Sequence, residues 1–362
     1  MTGGGNNPPT TGKLTPLTGT AEVDSNGLAT KKTLIKPDAN DDLQIVIPEG
    51  FAPVILNGSN STTSGPGEDG SVKSIMPADQ WKNITTEQIN KGIVIVDHAI
   101  TYDNGQATGT VPDFNEFVWV PIPESNKFAR TAWLNIRQYG TTSSSPKMQI
   151  LAEEETEGAF WEETDTVEYT GMVASVNEHK GFYIGRYEAS ANGTIAQSKR
   201  NAIVWTSNEP ENIMTACSAY NYTSNVHLMY GVEWDSTLNW MKDNAIIVDK
   251  IPGDNSNNEE VATKIMEEQD IIFDYANGAS LWGNIASDAG PEPAGSNEEW
   301  KANNIYNFLG NLIEITQEKY KGYGIYNVAR GGSWYAIAFG GASARWELDL
   351  TFANGYTDVK RI

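Results

Sequence analysis

The chain has 362 residues, with 25 Lys and Arg set against 47 Asp and Glu, and so a formal net charge of −22. Such a field opposes a nucleic-acid groove or an anionic membrane surface, since both need clustered positive charge. One cysteine, Cys217, excludes an internal disulfide framework and a Cys-based zinc site, and the three histidines at 98, 179 and 227 are too scattered for a His-rich metal centre.

Residues 1–20 are Gly, Asn, Pro and Thr without periodicity and read as a flexible leader. The first residues have neither the basic start nor the apolar run of a signal peptide. Two short strands are expected next, at 43–47 (Leu-Gln-Ile-Val-Ile) and 51–56 (Phe-Ala-Pro-Val-Ile-Leu). A Gly/Ser/Thr loop at 57–72, a short helix at 77–91 and a strand at 92–96 complete a small β-rich N-terminal domain, 21–113. The rest, 114–362, reads as one larger α+β domain.

That domain opens on a strand, Phe117-Val-Trp-Val-Pro-Ile122, and a second follows at Gly181–Glu188. Between them the acidic stretch from Glu153 to Glu168 reads as a solvated loop in preference to a calcium site. Trp234, Leu238 and Met241 fall at i, i+4 and i+7, which predicts a helix over 232–244 with those side chains inward. A second helix is expected at 257–269, with Val261 and Ile265 inward and Glu259, Glu260, Glu267 and Glu268 outward. From about 285 the text turns to Gly, Asn and aromatics, so much of the C-terminal third is expected to be loops held on a scaffold. Nowhere do about 18 apolar residues run together, so no membrane-spanning helix is expected.

Several segments stand in a telling order: Phe117-Val-Trp-Val-Pro, Gly181-Phe-Tyr-Ile-Gly-Arg-Tyr-Glu-Ala, Gly231-Val-Glu-Trp, Gly310-Asn-Leu-Ile-Glu-Ile-Thr and Val328-Ala-Arg-Gly-Gly-Ser-Trp. Over about 250 residues they resemble the formylglycine-generating-enzyme (sulfatase-modifying factor) family, which implies a C-type-lectin-like fold. Trp334, Trp234 and Tyr187 then serve as scaffold aromatics, and Glu188 and Glu233 as buried carboxylates tying loops to the sheet. Enzymes of that family work through a cysteine pair or the copper it holds. One sulfur cannot build that relay, and Cys217 reads as a small buried residue.

The closing segment 329–362 is similar to the variable region of proteins diversified by retroelements, where a Gly-Gly-Ser-Trp…Ala-Ser-Ala-Arg frame is fixed and the intervening residues are rewritten. The final Val359-Lys-Arg-Ile362 departs from that group's Gly-Phe-Arg ending. The resemblance implies a frame of Gly331, Gly332, Ser333, Trp334, Ala342, Ser343, Ala344 and Arg345. It implies a ligand-binding face drawn from Tyr335, Ile337, Phe339, Trp346, Leu348, Asp349, Thr351, Phe352, Asn354 and Tyr356. Two Trp, two Tyr and two Phe within 334–356 suit such a face, because aromatics dominate binding hot spots.

The expectation is a non-enzymatic binder of a surface protein or glycan on another cell, carried on a virion tail or a cell surface. It would need no cofactor and would bind no nucleic acid, and assembly with copies of itself is left open. Calcium at Asn311 is the one metal site the resemblance suggests, since oxygen-only ligation suits that ion. An enzyme of the same fold with a metal site not visible in the sequence, and a calcium-dependent lectin, are the rival readings.

Overall fold

A computed structural model describes residues 13–58, 70–100, 111–130, 136–139, 147–150, 160–206, 210–220, 226–244, 292–296, 301–308, 311–312, 314–321, 325–330 and 346–347. The described chain mixes several antiparallel sheets with a few helices.

β-branched triplets start the fold. Thr33–Ile35 (β1) pairs with Ile45–Ile47 (β2), and all six residues are buried. The leader's end joins them: Pro16 bridges Leu34, and Leu17 N–H donates to the Leu34 carbonyl at 2.8 Å, so residues near 16 are tied down. Ala52–Leu56 (β3) pairs with Val72–Ile75 (β4) on one side and Val94–Val96 (β5) on the other. β5 then pairs with Glu116–Pro121 (β6), so strands on either side of the boundary expected at 113 are hydrogen-bonded neighbours.

The helix expected at 77–91 is shorter and broken. Trp81–Asn83 makes one 3₁₀ turn and Thr86–Asn90 (α1) one α turn, because Thr85 and Gln88 form a capping box that starts a new helix there. Gly92, at φ +89°, supplies the left-handed residue that ends it.

Ile136–Tyr139 (β7) and Lys147–Ile150 (β8) form an antiparallel pair. Phe160–Trp161 (β9) is followed by a 13-residue helix, Val167–His179 (α2), capped by the Thr166 hydroxyl. The solvated loop expected over Glu153–Glu168 is therefore corrected at 160–162, which are strand and a buried Glu162, and from 167, where α2 starts, while 163–165 form an exposed turn as expected; residues 153–159 lie outside the described residues. Gly181–Gly185 (β10) closes a five-stranded sheet in the order β10-β6-β5-β3-β4.

All six residues of β6 are buried, as befits a strand covered on both faces. The period of two divides its side chains between two cores. Val118 and Val120, with Val94 and Val96 of β5, join one cluster; Phe117, Trp119 and Ile95 join the other. Each cluster draws on residues from both sides of 113.

Ser190–Asn192 (β11) and Ile195–Gln197 (β12) form a small hairpin. Pro210–Ser218 (α3) adds Ile213, Ala216 and Cys217 to the second cluster, where Cys217 is a buried small residue as expected. Gly231–Asn244 (α4) confirms the helix expected at 232–244 and adds Trp234, Leu238 and Met241 to the first cluster. Lys301–Ala302 (β13) pairs with Ile305–Tyr306 (β14).

Glu314–Lys321 (β15), Ile325–Arg330 (β16) and Trp346–Glu347 (β17) form a second sheet with β9, in the order β17-β16-β15-β9. With eight residues, β15 is a long strand within a third expected to be largely loops. The helix expected at 257–269 lies outside the described residues. Among the described residues no helix is long and apolar enough to cross a membrane.

Candidate functional site

β15 explains where the site comes from. Glu314, Thr316, Glu318 and Tyr320 alternate into the interior, so a polar strand presents carboxylates where an ordinary strand presents Val or Ile. Buried carboxylates need partners, and two arginines supply them. Arg330, the last residue of β16 and fully buried, donates from Nη1 to Glu318 Oε2 at 2.9 Å and from Nη2 to Asp235 Oδ1 at 2.6 Å. Its guanidinium lies 5.6 Å from the Trp234 ring, which stacks on Phe308.

Arg130 covers the same pair from the outer side. Its Nε donates to Asp235 Oδ2 at 3.1 Å, its Nη2 donates to Glu318 Oε1, and its Nη1 stands 3.6 Å from Glu162 Oε2. Burial works against the Arg130 charge, but Glu318, Asp235 and Glu162 outweigh it and hold the guanidinium charged.

Glu162 completes the cluster by receiving N–H groups from the start of α4: Gly231 N–H donates to Oε1, and Val232 N–H lies 3.3 Å from each oxygen. These are donors that a helix leaves open at its first turn. Position 231 also has little room for a side chain, since a Cβ would sit 2.8 Å from Glu318 Oε2 and 2.9 Å from Glu162 Oε1.

Glu233 is buried as expected, but it ties its loop to a helix and not to the sheet. Two positions further into α4, it turns back to accept the Tyr230 N–H at 2.8 Å and faces His227 Nε2 at 3.0 Å from both oxygens. Glu188 does the same for another loop: buried, it accepts Leu312 N–H at 3.1 Å and the side-chain amide of Asn311. Asn311 takes a left-handed φ of +56°, which Asn tolerates. Its Oδ1, the atom a calcium ion would use, accepts Glu292 N–H at 2.9 Å, and its Nδ2 also donates to the Glu292 carbonyl at 3.1 Å. Trp234 and Tyr187 are fully buried scaffold aromatics, as expected.

Of the expected binding face, Trp346 falls in β17, paired with Ala329, while Glu347 pairs with Val328. The frame from Gly331 to Arg345 lies outside the described residues, as do the face positions Tyr335, Ile337 and Phe339 and those from Leu348 to Tyr356. What can be stated is how the segment is flanked: residue 330 is locked in an ion-pair cluster and residue 346 is paired one strand away.

Sequence reasoning missed the Arg130–Glu162–Asp235–Glu318–Arg330 cluster. Its members are scattered from 130 to 330 with no common spacing, and Glu162 sat in a stretch that looked like surface. The chain matches no family model, no curated protein and no solved structure.

Proposed function

We propose that this is a non-enzymatic ligand-binding protein, with a C-type-lectin-like domain whose C-terminal segment forms a face rewritten by a retroelement. The reading rests on the ordered motifs at 117, 181, 231, 310 and 328, which resemble the formylglycine-generating-enzyme family, and on the similarity of segment 329–362 to the variable region of retroelement-diversified proteins. One observation carries it further: the chain leaves β16 at a fully buried Arg330 and is paired with the same strand again at Trp346. Backbone pairing at 346 and the anchor at 330 hold the two ends of segment 331–345, which carries Tyr335, Ile337 and Phe339 of the proposed face, whatever side chains that segment bears.

The partner on this reading is a surface protein or glycan of another cell, met by aromatic side chains on a virion tail or cell surface. The test is the DNA downstream of the gene. A near-copy of the codons for 329–362, differing from them at adenines and lying beside a reverse transcriptase gene, is the expected finding. Its absence from the surrounding genome would overturn the diversified face and leave those aromatics as fixed contacts or core.

A further inference from the structure

The hairpin of β11 and β12 turns at Gly193-Thr194, and Asn192 and Ile195 are the pair that closes it. Gly193 is left-handed at φ +62°, which suits glycine at the first position of a two-residue turn. Asn192, Gly193 and Thr194 are all exposed, and a Cβ at 193 would meet nothing within 4 Å. Among the described residues no hydrogen bond holds the Asn192 side-chain amide or the Gly193 N–H. The two other Asn-Gly pairs among the described residues are both held. At one, Gly27 N–H donates to the Asp24 carbonyl at 3.1 Å and Asn26 N–H to Asp24 Oδ1 at 2.8 Å. At the other, Asn57 donates its N–H to the Ser71 carbonyl and its Nδ2 to Ser71 Oγ, each at 2.8 Å.

We propose that Asn192 is a self-modifying site, an asparagine that deamidates in the folded protein with water as its only co-reactant. The Gly193 nitrogen attacks Asn192 Cγ and forms the new C–N bond of a five-membered succinimide. The Cγ–Nδ2 bond breaks, and Nδ2 leaves as ammonia with the proton given up by the Gly193 N–H. Water then opens the ring at either carbonyl. Opening at Cγ gives aspartate in an ordinary main chain; opening at the backbone carbonyl gives isoaspartate, whose main chain runs through the former side chain. Nothing is oxidised or reduced, and either product adds one negative charge. A following glycine obstructs the attack least, having no Cβ, and asparagine is among the thermolabile residues. Attack needs a free N–H and a side chain free to swing onto it. Asn192-Gly193 offers both, whereas the Gly27 N–H is occupied and the Asn57 amide is tied to Ser71. The inference stands apart from the binding face and needs no part of it.

The two products differ in what they do to the fold. Isoaspartate adds a main-chain carbon at the pair that closes the turn, and turn length sets hairpin register. That register places Ala196 of β12 fully buried in the second core cluster, and Ser190 of β11 bridges Val204. Lengthening the turn works against both, whereas aspartate leaves the backbone as it was.

The experiment warms the full chain at neutral and mildly alkaline pH, samples it over weeks, and maps peptides so that asparaginyl, aspartyl and isoaspartyl forms separate. In the folded chain the Asn192 peptide should convert several-fold faster than those carrying Asn26 and Asn57. Its rate should rise with pH, because the attacking nitrogen must lose its proton. In concentrated urea the three rates should converge, since each is then an open Asn-Gly pair. The pairs at 104, 277 and 354 lie outside the described residues and are read on their own peptides. Asn192→Gln, whose longer side chain closes the ring poorly, should lose the conversion at 192. The isoaspartyl fraction should melt a few degrees below the aspartyl one. An Asn192 that converts no faster than Asn26 and Asn57 in the folded chain would overturn the site. So would the same ranking kept in urea, which would assign it to local sequence and not to the fold. An isoaspartyl fraction that melts with the aspartyl one would overturn the effect on the hairpin.

Discussion

Arg330→Met removes the most deeply held charge at the root of the proposed face while keeping a side chain of similar length. Arg330 is fully buried, and its two donors at 2.9 and 2.6 Å serve Glu318 and Asp235. Without it, Asp235 and Glu318 each lose a buried guanidinium, and among the described residues Arg130 is the arginine that still faces them. Breaking one side of a buried ion pair costs about 3–5 kcal/mol, chiefly because the remaining charge keeps its desolvation penalty. The Trp234 ring also loses its cation, worth about 1 kcal/mol more.

Urea unfolding followed by tryptophan fluorescence, with 11 Trp in the chain, reads this as a lower midpoint at unchanged slope. The carboxylates left behind would bind protons more readily, so the loss should be smaller near pH 5 than near pH 8. Adding Glu318→Gln, which takes one of the stranded charges away, should recover a large part of the loss. A penalty below about 1 kcal/mol, or a double variant no more stable than Arg330→Met, would show that the cluster does not hold the sheet to α4 as argued.

Smaller tests follow from local geometry. Thr85→Ala removes a hydroxyl that accepts Gln88 N–H at 3.2 Å and should cost about 1 kcal/mol, with Thr85→Ser restoring most of it. Gly92→Ala should cost roughly 2–3 kcal/mol, since φ is +89° and a Cβ would run into the Asn303 backbone carbonyl. Gly50→Ala, at φ +82° with open space around it, should cost less, and equal penalties at the two sites would remove the close approach to Asn303 as the cause.

Much of the fold is legible where burial is carried by apolar side chains. Ile45–Ile47, Val94–Val96 and 117–120 announce themselves as strands because their residues are β-branched or aromatic, and all of them are buried. Trp234, Leu238 and Met241 announce α4 by their spacing, and all three reach the core. β15 stays hidden for the opposite reason. Its inward positions are Glu314, Thr316, Glu318 and Tyr320, so the period of two is present but is written in polar letters.

Glu162 reads as surface for the same cause: nothing nearby in sequence shows that Arg130 and the first N–H groups of α4 wait for it. Pairing is likewise absent from the local text. The short runs at 94–96 and 117–121 identify strands, but that they are neighbours follows only from the sheet. For the candidate site, Glu188 and Glu233 are correctly read as loop ties, whereas the charged cluster that roots segment 331–345 has no sequence signature.

The most direct measurement is the stability of a variant in which Tyr335, Phe339 and Phe352 are all replaced by Ser. If these aromatics form a displayed face, each change moves stability by no more than about 0.5 kcal/mol, and the chain keeps its urea midpoint nearly unchanged. If they are core, each costs about 3–5 kcal/mol, which together approaches the whole stability of a folded domain. A triple variant that folds like the parent is the outcome the binding face requires; one that fails to fold contradicts it.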